Sequence, residues 1–244
     1  MAGQAQSKII RPILGRIQSL PLKHLLALML ATDLFLILLH ILRNLPGIDL
    51  IPAIEKPPFS ISADLGLGES FQYVKELWIA LLLGALVIRY GKKAYLGWSL
   101  LFGYLLLDDM LGFHEGFGAL GEKYFHLPAA LQMFPRLRIS DLFELGSSAI
   151  IGSVVLVLLF VFYRRSAPDV RMTQNVIFVL FALLIGFGVA LDFFDRFFSS
   201  RMIAELLKLI EDGGEMLVMS LICWYSFVLF ERYSTAEPAP TQVE

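Results

Sequence analysis

Six long apolar segments constrain the fold of this chain more than any other feature. They occupy approximately residues 22–43, 71–90, 94–115, 140–163, 172–197 and 203–230. Each has about the 20 residues that an α-helix needs to cross the hydrocarbon core of a bilayer. The mean hydropathy of +0.70 is typical of such proteins. The sequence therefore predicts an all-α, polytopic integral membrane protein: a bundle of six transmembrane helices embedded in a lipid bilayer.

Basic residues predict the orientation of this bundle. They cluster in the N-terminal segment and in the two turns near 89–93 and 164–171. Because cytoplasmic loops carry an excess of Lys and Arg, we expect both termini and these turns to face the cytoplasm, as in a bacterial inner-membrane protein. The predicted parts are a basic N-terminal segment (1–21) that can lie along the membrane interface, a transmembrane domain (22–232) and a disordered cytoplasmic tail (233–244).

Ionisable side chains inside the apolar segments are the strongest functional signal. Asp33 lies ten residues past Lys23, which places it about 15 Å into the bilayer. Glu76 and Asp108 also fall well inside predicted spans. A charge at mid-bilayer costs roughly 2.5 kcal/mol or more. These three residues are therefore expected to serve a functional site or a buried polar network.

The spacing of the carboxylates favours a shared site on the non-cytoplasmic side. Several pairs stand at i, i+3 on one helical face, and facing helices of a bundle commonly build metal sites from such stripes. The predicted ligands are Asp108, His114, Glu115, Asp192, Asp195, Asp212 and Glu215. Oxygen-rich sets suit Mg²⁺, Ca²⁺ or Mn²⁺, and a histidine admits iron or zinc.

The first functional hypothesis is therefore a divalent-metal enzyme. The metal would support hydrolytic or redox chemistry on a lipid-like or membrane-proximal substrate, and Glu76 or Asp109 would act as the catalytic acid or base. The chain lacks the Glu-x-x-His motif of ferritin-like di-iron bundles. It also lacks the G-x-S-x-G, His-Glu-x-x-His, phosphate-loop and dinucleotide motifs. Its single cysteine excludes an intrachain disulfide, and no basic patch suggests nucleic acid.

Two other hypotheses remain open. In the first, Asp33, His40, Glu76 and the acidic layer form part of a proton or cation path, as intramembrane ionisable residues often do. In the second, the chain is an accessory subunit that packs against a membrane-protein partner or against copies of itself. The carboxylates would then be neutralised by cations such as Lys75, or would lie in the headgroup zone where ionised groups cost little.

Overall fold

The computed structural model describes residues 20–44, 59–63, 65–126, 128, 137–195, 197 and 200–236. At Leu20, Asn44, Asp192, Asp195, Arg201 and Ala236 only the backbone is described. Every regular element in these ranges is helical. The predicted terminal parts, 1–21 and 233–244, lie largely outside the described residues.

The longer helices match the predicted apolar segments. In chain order the α-helices are α1 (Leu20–Asn44), α2 (Leu67–Tyr90), α3 (Leu96–Leu111), α4 (Phe113–Tyr124), α5 (Ile139–Arg165), α6 (Pro168–Ile185), α7 (Asp192–Asp195) and α8 (Arg201–Ala236). A 3₁₀ turn (Lys93–Tyr95) precedes α3, and a π-helical segment (Gly186–Leu191) continues α6. Five helical stretches in the described ranges are long and apolar enough to cross a membrane, or six if α3 and α4 form one bent span. The all-helical, membrane-type fold is thus confirmed, whereas the side on which the termini lie stays a prediction.

The third predicted span is bent in the structure. It was expected to run through 94–115 and to be followed by a loop at 116–139. Instead the helix breaks at Gly112, which has a left-handed φ of 60°, and the chain turns by 55° into α4. Glycine adopts this conformation without the steric penalty of a Cβ atom. Helix α4 then continues to Tyr124, so the first part of the predicted loop is helical.

The acidic residue Asp141 has a structural role at the beginning of α5. Asp141 accepts hydrogen bonds from the backbone N–H of Arg138 at 2.7 Å and from its guanidinium at 3.1 Å. The hydrogen bond to Asp141 raises the pKa of Arg138, which lies just outside the helix. A carboxylate in the first turn also complements the positive end of the helix dipole. Asp141 therefore stabilises a helix start.

Helix α8 forms the centre of the bundle. In its apolar stretch 61% of the residues are buried, against 6% in α5, so α5 is peripheral. Helices α1, α2, α6 and the π-helical segment pack against α8, while α4 packs on α5. At one end of the core the buried ring of Trp98 meets Phe178 edge-on, with centroids 4.7 Å apart. This apolar core surrounds the polar groups described next.

Candidate functional site

A fully buried ion pair lies where α1, α2 and α8 meet. Lys75 Nζ is 3.1 Å from Asp33 Oδ1, and both side chains have no exposed surface. Taking two charges out of water is costly, and attraction offsets that cost only when further hydrogen bonds complete the geometry. The structure supplies those bonds from α8.

Helix α8 completes the surroundings of the pair. The hydroxyl of Ser220 donates to Asp33 Oδ2 at 2.5 Å, and Lys75 Nζ donates to the Met216 carbonyl oxygen at 2.9 Å and to Ser220 Oγ at 3.4 Å. The ammonium also lies 4.7 Å from the centroid of the Phe71 ring, within the range of a cation–π interaction. The contacts of Asp33 and Lys75 thus connect α1, α2 and α8.

A second buried polar group follows directly on α2. Glu76 is 2% exposed, and its carboxyl group lies close enough to that of Asp109 on α3 for the two groups to interact. Its Oε2 atom has no hydrogen-bond partner. Two ionised carboxylates can only accept hydrogen bonds, so a hydrogen bond between Glu76 and Asp109 would need a proton on one of them. Asp109 is exposed, so the pair joins the interior of the bundle to its surface.

Glu215 is accommodated by the π-helical segment. A Cβ atom on Gly188 would lie only 1.7 Å from Glu215 Oε1, so the carboxylate occupies the space that the missing side chain leaves. Glu215 also interacts electrostatically with Glu76. Single-turn π-helical segments occur frequently at functional sites because they redirect neighbouring groups. Here the segment makes room for a third acidic group beside Glu76.

The helix break at Gly112 brings a histidine to a carboxylate. His114 Nδ1 lies 3.2 Å from Asp108 Oδ2, and the His114 backbone N–H donates to Asp108 Oδ1 at 3.1 Å. The hydroxyl of Tyr104 donates to Asp108 Oδ2 at 3.1 Å. The His114 side chain is 32% exposed, whereas Asp108 is 8% exposed. Asp108 therefore connects α3 to α4 and positions the partly exposed imidazole of His114.

The segment before α2 covers the neighbouring part of α1 and α8. His40 Nδ1 is 3.3 Å from Ser60 Oγ and from the Ile61 backbone nitrogen. The hydroxyl of Ser62 donates to Asp212 on α8. His40 and Asp212 are thus both engaged by this short buried segment. The predicted path from Asp33 to His40 stays a prediction.

The predicted metal ligands are dispersed among these separate contacts. Asp108 and His114 form a pair, Glu115 is exposed beside Gly112, Asp212 bonds Ser62, and Glu215 packs on Gly188. The side chains of Asp192 and Asp195 lie outside the described part of the chain. Among the described residues no three His, Cys, Asp or Glu side chains are grouped so that they could hold a metal ion.

Sequence reasoning missed two members of the site. Lys75 was treated only as a cation that could neutralise some carboxylate, and Ser220 was not considered. A lysine directly before an intramembrane glutamate is a usable signal, because two adjacent charges at depth need separate partners. Ser220 carried no such signal, since a serine in a membrane helix is ordinarily a packing residue.

The chain matches a protein family to which no activity is assigned. No curated protein and no solved structure matches this chain. One family model covers residues 24–229, which include all of the contacts described above. The chain therefore belongs to the family described as a domain of unknown function (DUF8692).

Proposed function

We propose that this protein is a proton-handling membrane protein of the ion- or solute-coupled class. In this proposal Glu76 and Asp109 form its proton-binding site. The observation that carries the proposal is the environment of Glu76: a carboxyl group 2% exposed, with one oxygen unpartnered, beside the carboxyl group of Asp109. Ionisable groups at such depth commonly mark proton relays in transporters and pumps.

The proton is the simplest ligand that this carboxyl pair can accept. Two ionised carboxylates in contact repel each other, and one shared proton converts the repulsion into a hydrogen bond. The unpartnered Oε2 atom of Glu76 leaves an acceptor available when the proton moves. Asp109 is exposed near the end of α3, and in this proposal it exchanges protons with the outside of the bundle.

Lys75 supports the proposal by linking the carboxyl pair to the deeper ion pair. Lys75 interacts electrostatically with Glu76 as well as with Asp33. A change in the charge of Glu76 is therefore felt by the cation that holds α1, α2 and α8 together. Proton binding at the surface end would in this way alter the packing of three helices, which is what a coupled transporter or sensor requires.

The accessible His114 extends this route. The imidazole is bonded to Asp108, which directly precedes Asp109 in α3. Histidine exchanges protons near neutral pH more readily than any other side chain. Under the predicted orientation the entrance lies on the non-cytoplasmic side, in agreement with a site that opens outward.

Proton movement in proteoliposomes tests the proposal. We expect the wild type to move protons into or out of vesicles after a pH jump, with Glu76→Gln and Asp109→Asn slowing the flux about tenfold or more, in the range that removing one proton-transfer group usually costs. Glu122→Gln on α4, which removes an exposed carboxylate, is the matched control. Flux that is unchanged in Glu76→Gln contradicts the proposal.

The metal-dependent enzyme stays a prediction from the sequence. Its strongest remaining support is the Asp108 and His114 pair, which supplies two ligand types to one point. A structural or catalytic zinc site has at least three protein ligands. Stoichiometric metal in the purified protein, lost in Asp108→Ala, would favour this function over proton handling.

A further inference from the structure

A cavity of about 350 Å³ lies at the end of the bundle opposite to Gly112. Two connections form its walls: residues 91–94 between α2 and α3, and the junction of α5 with α6 from Phe162 to Val170. Three membrane-length helices begin or end around it, at a level where a bilayer would meet water. It shares no residue with the carboxylate site.

The cavity is positively charged. Lys92, Lys93 and Arg165 line it, and no acidic residue does. The ammonium of Lys92 lies over the Tyr233 ring at 4.9 Å. Lys93 and Arg165 are exposed, and neither forms a salt bridge with any described residue. The start of α6 at Pro168 adjoins the same wall, and Asp169 in its first turn offsets the positive end of the helix dipole.

A hydrogen-bonded frame fixes the two walls relative to each other. Buried Gln174 on α6 donates from Nε2 to the Ala94 carbonyl oxygen at 2.9 Å, which joins one wall to the other. Arg171 donates to the Tyr163 and Arg164 carbonyl oxygens at 3.2 and 2.7 Å. The Ser166 hydroxyl closes the end of α5 by donating to Phe162 at 2.6 Å. The cations are therefore presented from a fixed support.

One buried polar atom at this support has no partner. Gln174 is 1% exposed, and its Oε1 accepts no hydrogen bond, although its amide nitrogen contacts Ala94 and Ser166 of the cavity wall. Buried polar groups in native proteins are nearly always paired. Gln174 does not itself line the cavity, so this unpaired acceptor lies inside the bundle, behind the cavity wall.

We propose that this cavity binds the phosphate headgroup of an anionic phospholipid. The phosphate is held by Lys93 and Arg165, which line the cavity and are exposed. Basic pockets between transmembrane helices bind lipid headgroups in this manner. The acyl chains then extend along the apolar helices, where the bilayer already places them.

Native mass spectrometry of the full chain in a neutral detergent tests the proposal. The probes are short-chain phosphatidylglycerol, short-chain phosphatidylcholine and inorganic phosphate. Lys93→Gln/Arg165→Gln removes the two cations of the cavity. Arg89→Gln/Arg164→Gln removes two cations from the same end of the bundle that do not line it, and serves as the control.

We expect the wild type and the control to bind one phosphatidylglycerol in preference to phosphatidylcholine. The cavity variant should bind phosphatidylglycerol about 30-fold more weakly, about fivefold for each cation. Equal affinity in both double variants would show diffuse attraction and overturn the site. Inorganic phosphate that binds as tightly as phosphatidylglycerol would overturn the lipid assignment in favour of a free anion.

Discussion

Removing the ammonium of Lys75 should be the most damaging single polar substitution in the core. Lys75→Met leaves the Asp33 carboxylate with no exposed surface and with the Ser220 hydroxyl as its remaining hydrogen-bond donor. Breaking a buried ion pair by removing one partner costs about 3–5 kcal/mol, because the other charge stays buried and uncompensated. We expect the free energy of unfolding to fall by that amount.

A double substitution separates the ion pair from simple packing. In Asp33→Asn/Lys75→Met both buried groups are neutral, and the asparagine oxygen can still accept from Ser220. The double variant should therefore recover most of the lost stability, with a coupling energy of about 2–3 kcal/mol between the two positions. Such a value would identify uncompensated charge as the main cost of the single substitution.

Reversible unfolding in mixed detergent micelles, followed by tryptophan fluorescence, measures these free energies. Lys123→Met removes an exposed lysine on α4 and should change stability by no more than about 0.5 kcal/mol. If the cost of the double variant equals the sum of the two single costs, the residues do not interact energetically. That result would refute the argument from burial and distance.

Two further predictions concern packing around the site. In Gly214→Ala the new Cβ would lie 2.3 Å from the Phe187 ring, so we expect the free energy of unfolding to fall by about 1–3 kcal/mol in the same assay. The control is Gly146→Ala, whose Cβ meets nothing within 4 Å and should leave the free energy of unfolding unchanged. Equal losses of stability in the two variants would contradict the contact with Phe187. Ser62→Ala removes the hydrogen bond to Asp212, so the rate of amide hydrogen exchange should rise in residues 60–63 and stay unchanged in α8. Unchanged exchange in residues 60–63 would show that this hydrogen bond does not keep the segment on α8.

Helix length was predictable because it follows from local composition. The apolar segments 22–43, 71–90 and 140–163 correspond to α1, α2 and α5, each within about four residues at its ends. The bend at Gly112 was not predicted. Apolar residues continue on both sides of it, and a glycine tolerates helical and left-handed conformations alike. Only the contacts of Asp108 with His114 decide between a straight helix and a break.

The sequence predicts which residues belong to the polar site better than it predicts which of them contact one another. Depth along a helix identified Asp33 and Glu76, since it depends only on the rise per residue. The partner of Asp33 is Lys75, 42 residues away, and the rotation of α1 against α2 that joins them depends on packing with α8. Carboxylates at similar depth on different helices do not have to face one another. The five predicted ligands whose side chains are described therefore divide among several local contacts.

Infrared difference spectroscopy on the full chain in lipid tests the central claim most directly. At neutral pH we predict one C=O stretching band of a protonated carboxyl that is buried in the bundle. This band should disappear in both Glu76→Gln and Asp109→Asn, because the two groups share the proton, and should remain in Glu122→Gln. No protonated carboxyl band at neutral pH, or a band that persists in Glu76→Gln, would contradict the account.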